Sequence, residues 1–389
     1  MSRAGRGGLR CCRCSRTTKL NQLAGLCECS GTLAYEADLE AASRLDPEDL
    51  TRVGPGPRTL TPLLPEQSCF LTLGEGNTPL RPAPSLGKAL GVGDLWVKDE
   101  IANPSGSFKD RGMALAVGMA RTHSASSLGL ATAGNAGVSA ALYSRAAGLD
   151  LYVVMPEMTP PVFVHRARAS GARVETGGAD LALAGAILRE RIAGQERFDL
   201  STLREPYRVE GKKLIGYEIL LALRHRTPDW IVLPTGGGTA VIGVDKALTE
   251  MEKLGWLQGP PPRLACIQAS GCAPVVRAFE NRQAVTSPWE TPETGAWGLR
   301  VPAPLGGDRI LEALKRRSGV AVAVEEEDMI QGASELWGLE RVPAGPEAGA
   351  TVAGVRTLLK RGVIRSDQSV VLLITGGTPA GVDSPLGLE

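Results

Sequence analysis

Lys109 stands where a short polar turn, Asn103-Pro104-Ser105-Gly106-Ser107-Phe108, runs through Asp110-Arg111-Gly112 into a helix-forming apolar stretch at 113–120. A lysine at a helix N-terminus feels the positive end of the dipole, and Arg111 adds a nearby cation, so both disfavour the ammonium form. An amine with a lowered pKa is a candidate Schiff-base former; without such neighbours it is an ordinary solvated lysine.

A second constellation binds anions. Residues 230–233 form a buried-strand run that opens, after Pro234, into Thr235-Gly236-Gly237-Gly238-Thr239 and a helical segment at 240–251. Consecutive glycines let backbone N–H groups converge in front of a helix N-terminus, which makes a cradle for a phosphate. A dinucleotide fingerprint needs G-x-G-x-x-G, and counting from Gly236 the sixth position is Val241; no segment supplies a P-loop either. Two more segments share this character. Leu130-Ala131-Thr132-Ala133-Gly134-Asn135-Ala136-Gly137 leads into a small-residue helix at 138–147, and the apolar strand 370–374 stops at Thr375-Gly376-Gly377.

Cys11, Cys14, Cys27 and Cys29 give C-x2-C, twelve residues, then C-x-C, close to a zinc-ribbon knuckle pair with a tight second half. Zinc or a similar ion fits this spacing, as does a ribbon that persists by packing after losing its metal. Cys12 is an extra thiol, while Cys69, Cys266 and Cys272 read as buried structural cysteines. Disulfides are the other reading of clustered thiols. The first ten residues carry arginines and no apolar core, so no signal peptide is expected and a reducing cytoplasm follows.

The elements that must position these residues alternate along the chain. Strands are expected at 94–97, 128–132, 151–155, 230–233, 264–268 and 370–374, with helical spacing between most of them, which argues for parallel α/β layers. Proline- and glycine-rich breaks fall at 53–65 and 258–262, and 288–307 is a long loop able to cover a site. With 389 residues and 43% hydrophobic content the chain can bury a large core. Its 43 basic and 42 acidic residues leave no electrostatic footprint for nucleic acid or membrane. No apolar run is long enough to span a bilayer. The three histidines, His123, His165 and His225, lie in no nucleophile motif, which argues against a Ser-His-Asp hydrolase.

In this order the segments, with Leu73-Gly74-Glu75-Gly76-Asn77-Thr78-Pro79-Leu80 and Val97-Lys98-Asp99-Glu100, resemble threonine synthase and its close paralogues among the fold-type II pyridoxal phosphate enzymes. The resemblance runs along nearly the whole chain. It implies an α/β fold of two parallel-sheet domains behind a short zinc-ribbon-like segment. The implied limits are 1–52 for the ribbon, 66–112 with 204–389 for the large cofactor-binding domain, and 113–203 for the small inserted one. Lys109 would carry pyridoxal 5'-phosphate as a Schiff base and Asn135 would lie beside the ring hydroxyl. Gly236, Gly237, Gly238 and Thr239 would hold the cofactor phosphate, and Thr375 would face the pyridine nitrogen. A hydroxyl there, rather than a carboxylate, leaves that nitrogen largely unprotonated. Ser107, Thr132, Ala133, Gly134, Thr202 and Arg208 would receive the amino-acid substrate, with Arg208 on its phosphate. The implied reaction is O-phosphohomoserine plus water to threonine and phosphate, in a homodimer.

Three segments depart from the family pattern. Thr202-Leu203 replaces an asparagine–serine pair, Met158-Thr159-Pro160-Pro161 stands where a lysine is usual, and Ala136 follows Asn135 where threonine is common. The alternative reading is therefore β-elimination or β-replacement on serine, threonine or O-phosphoserine, as in ammonia-lyases or cysteate synthase-like enzymes. A non-catalytic protein has no need to keep Lys109, the glycine loop and Thr375 together.

Overall fold

The alternating apolar runs become two parallel sheets, and the cysteine segment a third, antiparallel one. The computed structural model describes residues 7–20, 22–53, 60–65 and 71–377. Cys69 and residues 54–59 of the 53–65 link lie outside the described residues. In chain order the strands are β1 (Gly8–Cys11), β2 (Thr17–Lys19), β3 (Leu33–Glu36), β4 (Leu80–Pro82), β5 (Asp94–Asp99), β6 (Ser127–Ala131) and β7 (Asp150–Met155). They continue with β8 (Arg173–Thr176), β9 (Arg197–Asp199), β10 (Trp230–Pro234), β11 (Arg263–Ala269), β12 (Val320–Val324) and β13 (Ser369–Ile374). All six expected strands are present, each within a residue or two of its expected limits.

The chain divides into two compact units. One comprises the described residues up to Asn77, Lys109–Leu221 and Lys246–Trp256. It holds the ribbon sheet, in order β2-β1-β3, and a four-stranded parallel sheet in order β8-β7-β6-β9. Ala131, Val154, Ala184 and Leu188 form the apolar layer between that sheet and the helix Leu181–Ile192. The other unit comprises Thr78–Phe108, Ala222–Asp245 and the described residues from Leu257 on. Its six-stranded sheet runs β12-β11-β10-β13-β5-β4, all parallel except the short edge strand β4. Trp230, Val232, Ile267, Leu372 and Ile374 are wholly buried, as a parallel sheet covered on both faces requires.

Helices start earlier than composition alone suggests. The helix expected at 113–120 spans Lys109–Thr122, so Lys109 is its first residue, and the one expected at 138–147 spans Asn135–Ala147. Polar residues and glycine fill the first turns, where free backbone N–H groups tolerate them. Two glycines then decide how the Lys109–Thr122 helix meets the helix Tyr207–Ala222. A Cβ on Gly211 would sit 1.9 Å from the Arg111 carbonyl oxygen, and one on Gly112 would lie 2.9 Å from that of Arg208. The backbones touch, and only glycine fits at the crossing. Beside it Arg111 donates two 2.6 Å bonds to the two carboxylate oxygens of Glu218, both side chains fully or almost fully buried.

Candidate active site

In the six-stranded sheet β10 is flanked by β11 on one side and β13 on the other. The chain order thus reverses at β10, and ligands in open parallel sheets bind beyond the carboxyl ends of strands at such a switch point. The strand β10 ends into Thr235-Gly236-Gly237-Gly238, followed by the helix Thr239–Lys253. β10 pairs with β13 from Trp230↔Val370 to Val232↔Leu372, so Thr235 and Thr375 follow the carboxyl ends of neighbouring strands. Gly238 has φ +75°, and a Cβ there would meet Ile310 at 2.1 Å; one on Gly236 would meet the Gly298 carbonyl at 2.3 Å. The loop expected to cover a site therefore lies directly over Gly236, and the bare backbone fits a phosphate at a helix N-terminus.

The polar turn before Lys109 is fixed to the same edge. The amide of Phe108 donates to the Thr375 carbonyl at 2.9 Å, and Ser107 bridges to Gly376. Thr375 is buried, and the Ser107 and Ser105 hydroxyls lie 3.2 Å apart. Behind them Thr78 donates to Glu100 at 2.6 Å, Asn103 donates to the same carboxylate at 2.9 Å, and buried Lys98 donates to the Thr78 carbonyl at 2.7 Å. Thr78, Lys98 and Glu100 thus support the turn through Asn103.

The four-stranded sheet gathers the other expected residues at its own carboxyl edge. Neighbouring strands β6 and β9 end respectively in Thr132-Ala133-Gly134 and in Ser201-Thr202. The Ser201 hydroxyl accepts from the Ala131 amide at 3.1 Å, tying the two ends together. Asn135, half buried, opens the helix that follows β6. Arg208 donates to the Leu200 carbonyl at 2.7 Å and lies 3.4 Å from the Thr202 hydroxyl. It is buried and forms no ion pair among the described residues, so neither a surface charge nor a structural salt bridge describes it. Glu205 caps its helix, accepting from the amides of Tyr207 and Arg208 at 2.7 and 2.9 Å. Burial pushes the Glu205 carboxyl up to about 7, against the pull of Arg208. The helix that begins at Lys109 packs at Gly112 against the Arg208 backbone.

Arg111, the cation expected beside the Lys109 amine, is ion-paired with Glu218, which offsets its charge. Lys212, one helical turn beyond Arg208 and wholly buried, was not singled out by sequence, yet its charge interacts with that of Lys109. The i, i+4 spacing of two cations at a helix start is the signal that could have found it.

In the ribbon the four sulfurs of Cys11, Cys14, Cys27 and Cys29 lie within 4.8 Å of one another. Cys11 and Cys29 are 3.5 Å apart, and Cys14 and Cys27 are 3.7 Å apart. Sulfurs at 2.3 Å from a tetrahedral zinc would be about 3.8 Å apart, so the set fits one ion. Desolvation opposes ionisation of Cys11, yet the amides of Cys14 and Arg13 aim at its sulfur and hold the thiol down at about 6. Cys12 is exposed; Cys266 and Cys272 are buried, as expected.

With this geometry in place, a family model described as pyridoxal-phosphate dependent enzyme matches residues 71–376. The chain belongs to the pyridoxal-phosphate dependent enzymes. Among its relatives, the threonine synthase of Methanosarcina acetivorans is 33% identical over 95% of this chain and 91% of its own length. That of Methanocaldococcus jannaschii is 32% identical over 94% and 91%, and that of Halalkalibacterium halodurans 36% over 80% and 84%. Among solved structures, maize serine racemase aligns with a TM-score of 0.68 at 18% identity, covering 79% of this chain and 90% of that one. The L-serine ammonia-lyase of Rhizomucor miehei gives 0.67 at 22%, covering 78% and 94%. At such identities these two establish the fold-type II architecture alone. No described helix is long and apolar enough to cross a membrane.

Proposed function

We propose that the protein is a pyridoxal phosphate-dependent carbon–oxygen lyase acting on a phosphorylated amino acid, converting O-phosphohomoserine and water to threonine and phosphate. The gathering of Thr132-Ala133-Gly134, Thr202 and buried Arg208 at one sheet edge, beside the helix that begins at Lys109, carries this reading. Full-length similarity to threonine synthases supports it.

In this assignment Lys109 holds the cofactor, Gly236, Gly237, Gly238 and Thr239 take its phosphate, Asn135 sits by the ring hydroxyl and Thr375 by the pyridine nitrogen. When bound, the cofactor supplies an electron sink that acidifies the substrate Cα–H. The chain does the rest. Lys109 is the base that takes the Cα proton and returns it. Ser107, Thr132, Ala133 and Gly134 orient the amino acid. Arg208 binds the phosphate, helped by the Thr202 hydroxyl, and holds it as it departs from Cγ. The domain limits 66–112 with 204–389 and 113–203, the homodimer and the cytoplasmic setting belong to the same proposal.

Removing one charge-assisted contact costs about 1.5–3 kcal/mol, so Arg208→Ala should lower kcat/KM for phosphate release by roughly ten- to a hundredfold. Cofactor content, read from absorbance, should be unchanged. Unimpaired phosphate release by the variant would remove Arg208 from the substrate site. Deamination of serine or threonine by an enzyme inert toward O-phosphohomoserine would put β-elimination in its place.

The ribbon is proposed as a structural zinc site. Protein purified without chelator should contain about one zinc per chain, and Cys14→Ser with Cys27→Ser should lose it. A metal-free segment that resists proteolysis as well as the loaded one would show that packing alone maintains the ribbon.

A further inference from the structure

We infer that Tyr207 is a positioning residue that couples the cysteine ribbon to the anion site at Arg208, so that metal held by the ribbon tightens the grip of that site on phosphate. This rests on the functional reading above for the ligand of Arg208 and deepens it by adding a regulator of the same site.

Tyr207 is wholly buried and precedes Arg208 in the first turn of their helix. Its hydroxyl accepts from the Ala24 amide at 3.0 Å, and its ring centre lies 6.4 Å from that of Phe198. Phe198 belongs to β9, and the chain beyond that strand supplies Leu200 and Thr202. Arg208 donates to the Leu200 carbonyl at 2.7 Å and lies 3.4 Å from the Thr202 hydroxyl. One side chain thus touches both the ribbon and the strand that holds Arg208. The ribbon also reaches the helix cap. A Cβ on Gly25 would lie 3.5 Å from the Arg204 carbonyl oxygen, and the next residue, Glu205, accepts from the amides of Tyr207 and Arg208. Among the described residues Arg208 Nε has no hydrogen-bond partner, which leaves a buried donor for an anion.

Another anchor of the ribbon needs no ion. β3 is held by its pairing with β1, the Tyr35 hydroxyl donates to the Leu64 carbonyl at 3.2 Å, and Lys246 bridges the Tyr35 carbonyl to Glu210. The Ala24 anchor is different. The described residues between β2 and β3 form no strand or helix, and this stretch carries Cys27 and Cys29, whose sulfurs face those of Cys14 and Cys11 at 3.7 and 3.5 Å. An ion at the four sulfurs fixes Cys27, three residues along the chain from Ala24. Without it the thiols offer one another weak contacts, and the exposed side-chain links across the same gap, Arg13 to the Cys29 carbonyl and Arg16 to Glu28, add little. Metal loading therefore bears on the buried Ala24–Tyr207 hydrogen bond, and through Tyr207 on Arg208. By linkage, phosphate at Arg208 must strengthen metal in the ribbon by the same factor.

Inorganic phosphate is titrated into the cofactor-loaded protein, whose glycine cradle is already filled, for wild type and Tyr207→Phe, each with zinc and after its removal. Losing zinc should weaken phosphate for wild type by about fivefold or more, the lower end of ordinary allosteric coupling. Tyr207→Phe keeps the ring on Phe198 and loses only the hydroxyl; it should weaken phosphate by a similar factor with zinc bound and then respond no further to zinc removal. Zinc affinity supplies a readout that packing alone would not move. Saturating phosphate should tighten zinc in wild type by the same factor and leave it unchanged in Tyr207→Phe. If the phenylalanine variant fails to fold, Ala24→Pro removes the donor from the other side and should uncouple the two sites equally. A wild type that takes up no zinc, phosphate affinity indifferent to zinc, or full coupling retained in either variant would overturn the inference. Absence of phosphate binding to zinc-loaded wild type would overturn it together with the assignment of Arg208. Threonine formation from O-phosphohomoserine is followed on the same preparations. Its failure beside phosphate binding that depends on zinc and Tyr207 would remove the substrate and leave the coupling standing.

Discussion

Lys109→Ala is expected to abolish turnover, and borohydride reduction of the variant should leave no pyridoxyl group on any peptide. Wild-type protein treated the same way should carry that group on Lys109. The loss is large because one amine has two duties, holding the cofactor and moving the Cα proton, and general base catalysis alone contributes about 10²–10⁴-fold. Nearby lysines are poor substitutes. Lys98 is committed to the Thr78 carbonyl and Lys213 to two carboxylates. A pyridoxyl mass on any other lysine of fully reconstituted wild-type protein would refute the assignment.

The second large effect is on stability. Arg111→Met should destabilise the protein by about 3–5 kcal/mol, because it strands the Glu218 carboxylate in a site that excludes water. The side-chain exposures of 0% and 3% leave the charge no route to solvent. Glu218 also accepts from the Asn77 amide at 2.8 Å, so the loss should spread into the Glu75-Gly76-Asn77 turn. Arg111→Met combined with Glu218→Leu removes both charges and should recover part of the loss, leaving the Asn77 amide unmatched. Urea unfolding of the three proteins checks this. Equal midpoints for the single and double variants would mean that the pair is not what holds the crossing together.

The contrast between Arg111 and Lys212 shows where sequence reading stops. Arg111 is two residues from Lys109, and proximity along the chain suggested that it would press on the amine. Its partner Glu218 is 107 positions away and offsets its charge. Lys212 is far from Lys109 in sequence and is brought to it by two glycines whose close packing no local pattern announces. Such long-range terms are invisible to periodicity, which reads only the nearest turns of a helix or strand.

What periodicity does read, it reads well here. The runs at 230–233 and 370–374 are β10 and β13, and Thr235 and Thr375 follow the carboxyl ends of these paired strands. Parallel strands buried on both faces leave continuous apolar runs that are hard to miss. The strands not anticipated are β1 to β4, β8, β9 and β12. Most have three or four residues, too few to set a period, and half-exposed β8 and β9 mix charged with apolar side chains. The β12 run Val-Ala-Val-Ala-Val suits a helix as well as a strand, and pairing with β11 decides it. Arg208 was legible as a candidate, but its burial came only from the packing of Leu200, Thr202 and Gly112 around it.

The central claim is the reaction, and product identity tests it most directly. Purified holoenzyme is given O-phosphohomoserine, and threonine, inorganic phosphate, ammonia and keto acid are measured in the same sample. The account predicts threonine and phosphate in equal amounts, with ammonia and keto acid at background. Phosphate without threonine, or ammonia and keto acid formed from serine or threonine while O-phosphohomoserine is untouched, would contradict it.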